Sequence, residues 1–161
     1  MIEIKRNNFV VKFMVEQDDI MAVDVVQKYL EALSNQMVAV RLPARDFKGV
    51  QPGSSISKLQ NISMIGSLGI TIAEDTENIV LEALEWLSTT SKVHIFVIKL
   101  DNNNLAQIVY RFARCSISSY QCSELNHSNA GSKMDTIDTE FGYSFLQFGM
   151  FNPPIPMKDL L

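Results

Sequence analysis

Ile137-Asp138-Thr139-Glu140-Phe141-Gly142-Tyr143-Ser144-Phe145 decides the fold class. Apolar, β-branched or aromatic residues stand at 137, 139, 141, 143 and 145, with polar residues or glycine between them. Successive side chains of a strand point to opposite faces, so this stretch predicts a strand with one buried and one wet face. That is the pattern of an antiparallel sheet.

Working outward, residues 106–118 predict another strand, joined to the first by a polar loop from Ser123 to Lys133. Val93 to Leu100 is apolar on both faces except at His94 and Lys99, as a buried strand is. Asp101-Asn102-Asn103-Asn104 predicts the turn between these two. Leu68, Ile70 and Ile72 mark a further strand. Val38, Val40 and Leu42 mark one that Pro43 stops, and residues 9–16 alternate with Phe9, Val11, Phe13 and Val15 on one side.

Two segments have helical spacing. Val80, Ala83, Leu84 and Leu87 share a stripe, with Glu82 and Glu85 outside it. Asp75 or Thr76 is the expected N-cap, and Glu74, Asp75 and Glu77 would complement the helix dipole. Residues 19–33 place Ala22, Val25, Val26, Tyr29 and Leu33 on one face. Asp18 or Asp19 would cap that helix, and Asp24 would pair with Lys28.

The expected fold is α+β: a mostly antiparallel β-sandwich or barrel of about six strands, a packed helix and an extra N-terminal helix. All 161 residues fit one domain. Residues 44–66, punctuated by Gly49, Pro52 and Gly53, predict a long polar loop or hairpin. A loop that long is usually functional or ordered by a partner. Residues 149–161, with Pro153, Pro154 and Pro156, predict an arm outside the sheet.

The charge balance is −4, from 14 Lys and Arg against 18 Asp and Glu. That disfavours tight nucleic-acid binding, which needs clustered cations. No secretion signal or membrane span is expected from the sequence. Cys115 and Cys122 are then expected as free thiols, and the sequons at Asn61 and Asn126 carry no meaning.

The chain has no Gly-rich phosphate loop, no nucleophile elbow and no His-Glu-x-x-His. His94 reads as a packed strand residue. Cys115, Cys122 and His127 are spaced seven and five residues apart, which fits no common zinc pattern and lacks a fourth ligand. Glu74, Asp75 and Glu77 read as a helix start, not as catalytic carboxylates. Asp135, Asp138 and Glu140 read as a solvated strand face. Arg41, Arg45, Lys48 and Lys58 lie in or beside the long loop, as a solvated run or as an interface that pairs with acids. The eight methionines read as core filler. No catalytic, cofactor or metal residue is assigned, and the expectation is a non-enzyme without cofactors.

Taken in order, these segments resemble the tail-tube family of contractile phages. Its fold is shared by the Hcp protein of type VI secretion and by tubes of extracellular injection systems. The resemblance rests on Leu42-Pro43-Ala44 after the second strand, on the polar region that follows, and on Gly69-Ile70-Thr71-Ile72-Ala73-Glu74-Asp75 leading into a helix that ends near Trp86-Leu87. Tyr110-Arg111-Phe112-Ala113-Arg114-Cys115 and the closing strand from Ile137 to Tyr143 complete it. It covers most of residues 8–148 by order and spacing.

The resemblance implies hexameric rings stacked into a tube. Each ring joins its sheets into one inner barrel inside a contractile sheath, and DNA passes without specific binding. Self-contacts, sheath and baseplate proteins are the implied partners, and a virion tail made in the host cytoplasm is the implied location. The helix at 19–33 and the Pro-rich arm depart from the pattern. They are compatible with a tube initiator at the baseplate or an Hcp-like effector-delivery tube. A small β-barrel ligand-binding protein or enzyme is the reading from another class. Residues 46–65 are expected at the ring-to-ring contact. Asp138, Glu140 and Glu124 are expected to make the lumen acidic or neutral, unless Asp138 and Glu140 face outside or pair with Arg111 and Arg114.

Overall fold

Ten strands and two helices are described in a computed structural model covering residues 8–15, 23–45, 60–61, 64–65, 67–74, 77–89, 93–122 and 135–160. In chain order they are β1 (Phe9–Val15), α1 (Val23–Asn35), β2 (Met37–Arg41), β3 (Ala44–Arg45), β4 (Gln60–Asn61), β5 (Met64–Ile65), β6 (Leu68–Ala73), α2 (Ile79–Leu87), β7 (Val93–Leu100), β8 (Ala106–Cys122), β9 (Thr136–Gly142) and β10 (Phe145–Ile155). A 3-10 turn, Met157–Asp159, follows.

Eight strands form one antiparallel sheet in the order β1-β7-β8-β9-β6-β2, with β10 beside β8 and β4 beside β10. β3 and β5 pair separately. The sheet folds into two facing leaves because β8 belongs to both. Ala106 to Cys115 pairs with β7, and Ala106 to Ala113 also pairs with β10. Ser116 to Cys122 pairs with β9. Leaf one is therefore β1, β7, the first part of β8, β10 and β4. Leaf two is the rest of β8 with β9, β6 and β2. Among the described strands, β1 and β2 do not pair, so the sheet is not closed there.

The period-two patterns explain the core between the leaves. Val11, Phe13, Val93, Ile95, Val97, Phe112 and Leu146 point in from leaf one. Leu68, Ile70, Ile72, Ile137 and Phe141 point in from leaf two. Buried Thr139 is the polar exception, and its Oγ1 donates to the Ile70 carbonyl at 2.8 Å. A buried hydroxyl without such a partner would be costly.

The two helices pack together: α1 lies against α2 and β1, and α2 against β8. α1 and α2 meet through Tyr29 and Trp86, whose ring centroids are 5.8 Å apart. The predicted face of α2 is buried, with Trp86 added to it. Its start differs from expectation. The N-cap is Asn78, with φ 58°, and no side chain caps the helix. Asn tolerates that left-handed geometry better than most residues. Asp75 and Thr76 lie outside the described residues, and Glu77 sits in the turn before Asn78.

α1 is described from Val23 to Asn35, two residues beyond the predicted end. Leu33 is buried, and Val26 and Tyr29 are half-buried, as the stripe requires. Val25 is the correction: it is exposed, because α1 meets the core with a narrower stripe. Asp18, Asp19, Ala22 and the side chain of Asp24, and with it the expected pair with Lys28, lie outside the described residues; on the exposed side Gln27 donates to Glu31 at 3.0 Å.

Two further corrections concern the C-terminal third. The stretch from 137 to 145 is not one flat strand. The pairing with β8 keeps its register from Gly142↔Ser116 to Phe145↔Ala113, yet the ribbon bends between them. The bend changes which parity faces inward, so Leu146 is buried and Phe145 is exposed. Residues 149–155 are not an arm either, because they continue β10, with Ile155 opposite Ala106. The register shifts between Met150 and Ile155. That irregular stretch is where Pro153 and Pro154 fit, since proline has no amide to give a ladder. Phe151, Ile155, Met157 and Leu160 then pack on Ile98, Leu100, Ala106 and Val109, a second small core on the outer face of leaf one.

Candidate assembly surface

Leaf two presents a polar outer face built from β2, β6 and β9. Asp138 and Glu140 lie two apart on β9 and so share that face, as the sequence predicts. Register places Glu140 beside Gly69 and Gly69 beside Arg41. Thr71 stands beside Asp138 in the next row.

These groups hold one another. Arg41 Nη1 donates to Thr71 Oγ1 at 3.0 Å, and Thr71 Oγ1 donates to Asp138 Oδ1 at 2.6 Å. Arg41 Nη2 lies 3.6 Å from Glu140 Oε1, and Ser67 Oγ donates to Glu140 Oε2. Gly69 makes this possible. A Cβ on it would stand 2.8 Å from Arg41 Nε and Nη2, so the guanidinium lies flat across the bare backbone. Asp138 and Glu140 are thus held by Thr71, Ser67 and Arg41, while Arg111 belongs to leaf one and bonds Gln147. Arg41 is a strand residue with partners of its own, not part of a loop cluster. Arg45 lies in β3, and Lys48 and Lys58 lie outside the described residues.

Leaf two also ends in two strand edges. Among the described strands, β2 pairs only with β6, and Ser116 to Cys122 of β8 pairs only with β9. Unpaired edges are templates for another strand. Val38 on β2 is exposed and has no registered partner on β6, where the pairing shifts between Met37 and Ala39.

The remaining sequence candidates are not gathered into a site. Cys115 is buried and its thiol donates to the Phe112 carbonyl at 3.3 Å, whereas Cys122 is exposed. Seven strand residues separate them by roughly 23 Å, and His127 lies outside the described residues. Burial pushes the Cys115 thiol up to about 12, against the bond environment at Ile95. Glu74 bonds through its amide to the Asp135 carbonyl at 2.9 Å. Tyr120 donates its hydroxyl to Glu85 of α2, which raises the phenol above its ordinary range. Among the described residues no His, Cys, Asp and Glu group is arranged to hold a metal ion, and no helix is long and apolar enough to cross a membrane. Glu124 and most of residues 46–65 lie outside the described residues.

The two-leaf sandwich with its paired helices has counterparts among solved structures. It is similar to Hcp1 from Salmonella typhimurium, with a TM-score of 0.52, 14% identity and coverage of 87% of this chain and 85% of that one. It is also similar to a chain of the tube-terminating cap of the anti-feeding prophage, with a TM-score of 0.54, 8% identity and coverage of 94% and 93%. This chain has the Hcp-like tube fold. A chain of the six-fold symmetrised anti-feeding prophage baseplate shares that fold at TM-score 0.51 and 9% identity, covering 92% and 96%. No family model and no curated protein matches the sequence. The Hcp-like fold here therefore rests on backbone arrangement, with most side chains replaced. Its α+β, mostly antiparallel character is the class the alternation predicts.

Proposed function

We propose that the chain is a structural subunit of the inner tube of a contractile injection machine. The observation that carries this is the pair of edges on leaf two, β2 on one side and Ser116 to Cys122 on the other. Copies arranged in a ring join each β2 to a neighbour's β8 and remove both edges at once. The polar face with Arg41, Thr71, Asp138 and Glu140 then lines a water-filled channel, while the apolar face stays in each subunit's core. Six copies per ring, stacked rings, and sheath and baseplate proteins outside complete the assembly. In a phage tail the channel conducts DNA, and its acids keep phosphates from sticking through counterion release. The role is mechanical and needs no bond chemistry.

A second reading, a tube initiator at the baseplate, is favoured by the likeness to a baseplate chain over nearly its whole length. Electron microscopy of the purified protein tests the main reading, with rings or tubes as the expected particles. Val38→Pro is the decisive variant. It falls where the pairing with β6 shifts between Met37 and Ala39, and it removes an amide from the edge strand and fixes the local backbone. Folded single subunits are the expected result, and rings of normal size overturn the proposed edge. Short particles that stop at one ring, from a chain that still closes rings, favour the initiator.

A further inference from the structure

The outer face of leaf one differs in charge from that of leaf two. Lys12 and Arg111 stand on its outward rows, and β1, β7, β10 and β8 as far as Cys115 contain no Asp or Glu. Register aligns Lys12, Phe96, Arg111 and Gln147 in one row across four strands. The Arg111 guanidinium lies 5.9 Å from the Phe96 ring centroid and 5.8 Å from that of Phe145. Its Nη1 donates to Gln147 Oε1 at 2.7 Å. Phe145, beside Arg111, is 41% exposed, and Met14, two residues from Lys12 on the same side of β1, is 44% exposed. The C-terminal segment covers the neighbouring row, Ile98 and Val109, and reaches only as far as Phe96.

We infer that this face docks a segment of another protein that presents a carboxylate next to an apolar side chain. Stacking between two rings and the bond to Gln147 fix the planar guanidinium. A second ligand then meets a preorganised fork and orders little on binding. The fork fits a carboxylate in a bidentate pair. Phe145 and Met14 supply the apolar contact, and Lys12 adds a second cation in the same row. Nucleic acid fits less well. Base stacking needs open ring faces, and here Arg111 lies over both Phe96 and Phe145. The inference rests on leaf one alone and not on ring formation.

The test uses the intact protein and a fluorescent peptide, acetyl-Glu-Leu-Glu-Phe-Glu-amide, followed by anisotropy. Its Lys-for-Glu analogue and a ten-residue oligothymidylate serve as comparison probes. The Glu peptide is expected to bind wild type, to weaken tenfold or more in Arg111→Gln and Lys12→Glu, and to be unaffected by Arg41→Gln on leaf two. Lys12 is exposed, so Lys12→Glu keeps the test valid if Arg111→Gln folds poorly. The inference is overturned if the Glu peptide fails to bind, if the Lys peptide or the oligonucleotide binds as well, or if Lys12→Glu changes nothing. Loss of the site on assembly, with free subunits still binding, assigns the face to contacts between copies and also overturns it.

Discussion

The Ser144 amide donates to the Ala113 carbonyl at 3.0 Å, across the point where β8 leaves one leaf for the other. That bond carries the β8 ladder through the bend, so the two leaves share one unbroken ribbon. The turn itself is made at the next residue, Arg114, whose φ is 50°. Tyr143 supports the inner side of the bend, with its ring edge-on to Phe112 at 5.1 Å.

Arg114 is the first place to test this. A β-branched residue at positive φ is strained. Arg114→Val is expected to destabilise the fold by about 1–3 kcal/mol. Arg114→Gly, which adopts that geometry without strain, should stay within about 1 kcal/mol of wild type. Urea unfolding of both variants measures the difference. Equal losses would place the bend elsewhere.

The change of parity at the bend makes a second prediction. Leu146→Ala removes a core side chain and should cost about 2–5 kcal/mol. Phe145→Ala, at an exposed site, should cost under about 1 kcal/mol. A continuous nine-residue alternation would give the reverse order in thermal or chemical melts.

Truncation after Asn152 is expected to expose Ile98, Leu100 and Val109 by removing Ile155, Met157 and Leu160. Burying one such side chain is worth about 1.5–3 kcal/mol, so the truncated chain should lose several kcal/mol and bind a hydrophobic dye. An arm made only for neighbouring molecules would leave the isolated subunit's melting point unchanged.

The two thiols should behave differently. Exposed Cys122 is expected to react with a thiol reagent in the folded protein, and buried Cys115 only on unfolding. The Cys115 thiol is raised to about 12 when folded, against about 8.5 in an unfolded chain. Above pH about 8.5 the unfolded chain releases a proton that the folded chain keeps. Stability is thus full below that pH and falls on raising it, with a limiting slope of about 1.4 kcal/mol per pH unit until the folded thiol titrates. Cys115→Ala, compared with wild type at pH 8 and pH 10.5, should show the shallower loss.

On leaf two, Gly69→Ala is expected to push the Arg41 guanidinium off the sheet, since the new Cβ meets the flexible end of that side chain. The Arg41–Glu140 pair is exposed, so the stability change should be within about 1 kcal/mol. The acids should become less shielded, and a polycation should bind the variant more tightly than wild type. Unchanged polycation binding would mean that Arg41 does not neutralise this face.

Periodicity made most of this fold readable. It marks the inward faces of β1, β6 and β9 and the buried stripe of α2 residue by residue, while β7 reads as apolar on both faces. It also marks the shared face of Asp138 and Glu140. It does not reveal strand order, and so it missed Arg41 as Glu140's partner. The two are almost 100 residues apart and meet only because β6 lies between β2 and β9, with a glycine at the crossing. The bend at Arg114 left no signal, since arginine does not favour positive φ. The continuation into β10 does leave one, since Leu146, Phe148 and Met150 alternate with Gln147 and Gly149, but the prolines beyond them carry the opposite signal. Arg111 between Phe96 and Phe145 joins three segments that only the folded ribbon brings together.

The length of β8 has a mechanical side. At about 3.3 Å per residue its backbone is roughly 56 Å long, and no loop interrupts it between the two leaves. A pull on either end of this strand is passed through its backbone, and through the Ser144–Ala113 bond at the bend, to the ladders of both leaves. β1 and β2, which do not pair with each other among the described strands, have no such ladder to carry load between them.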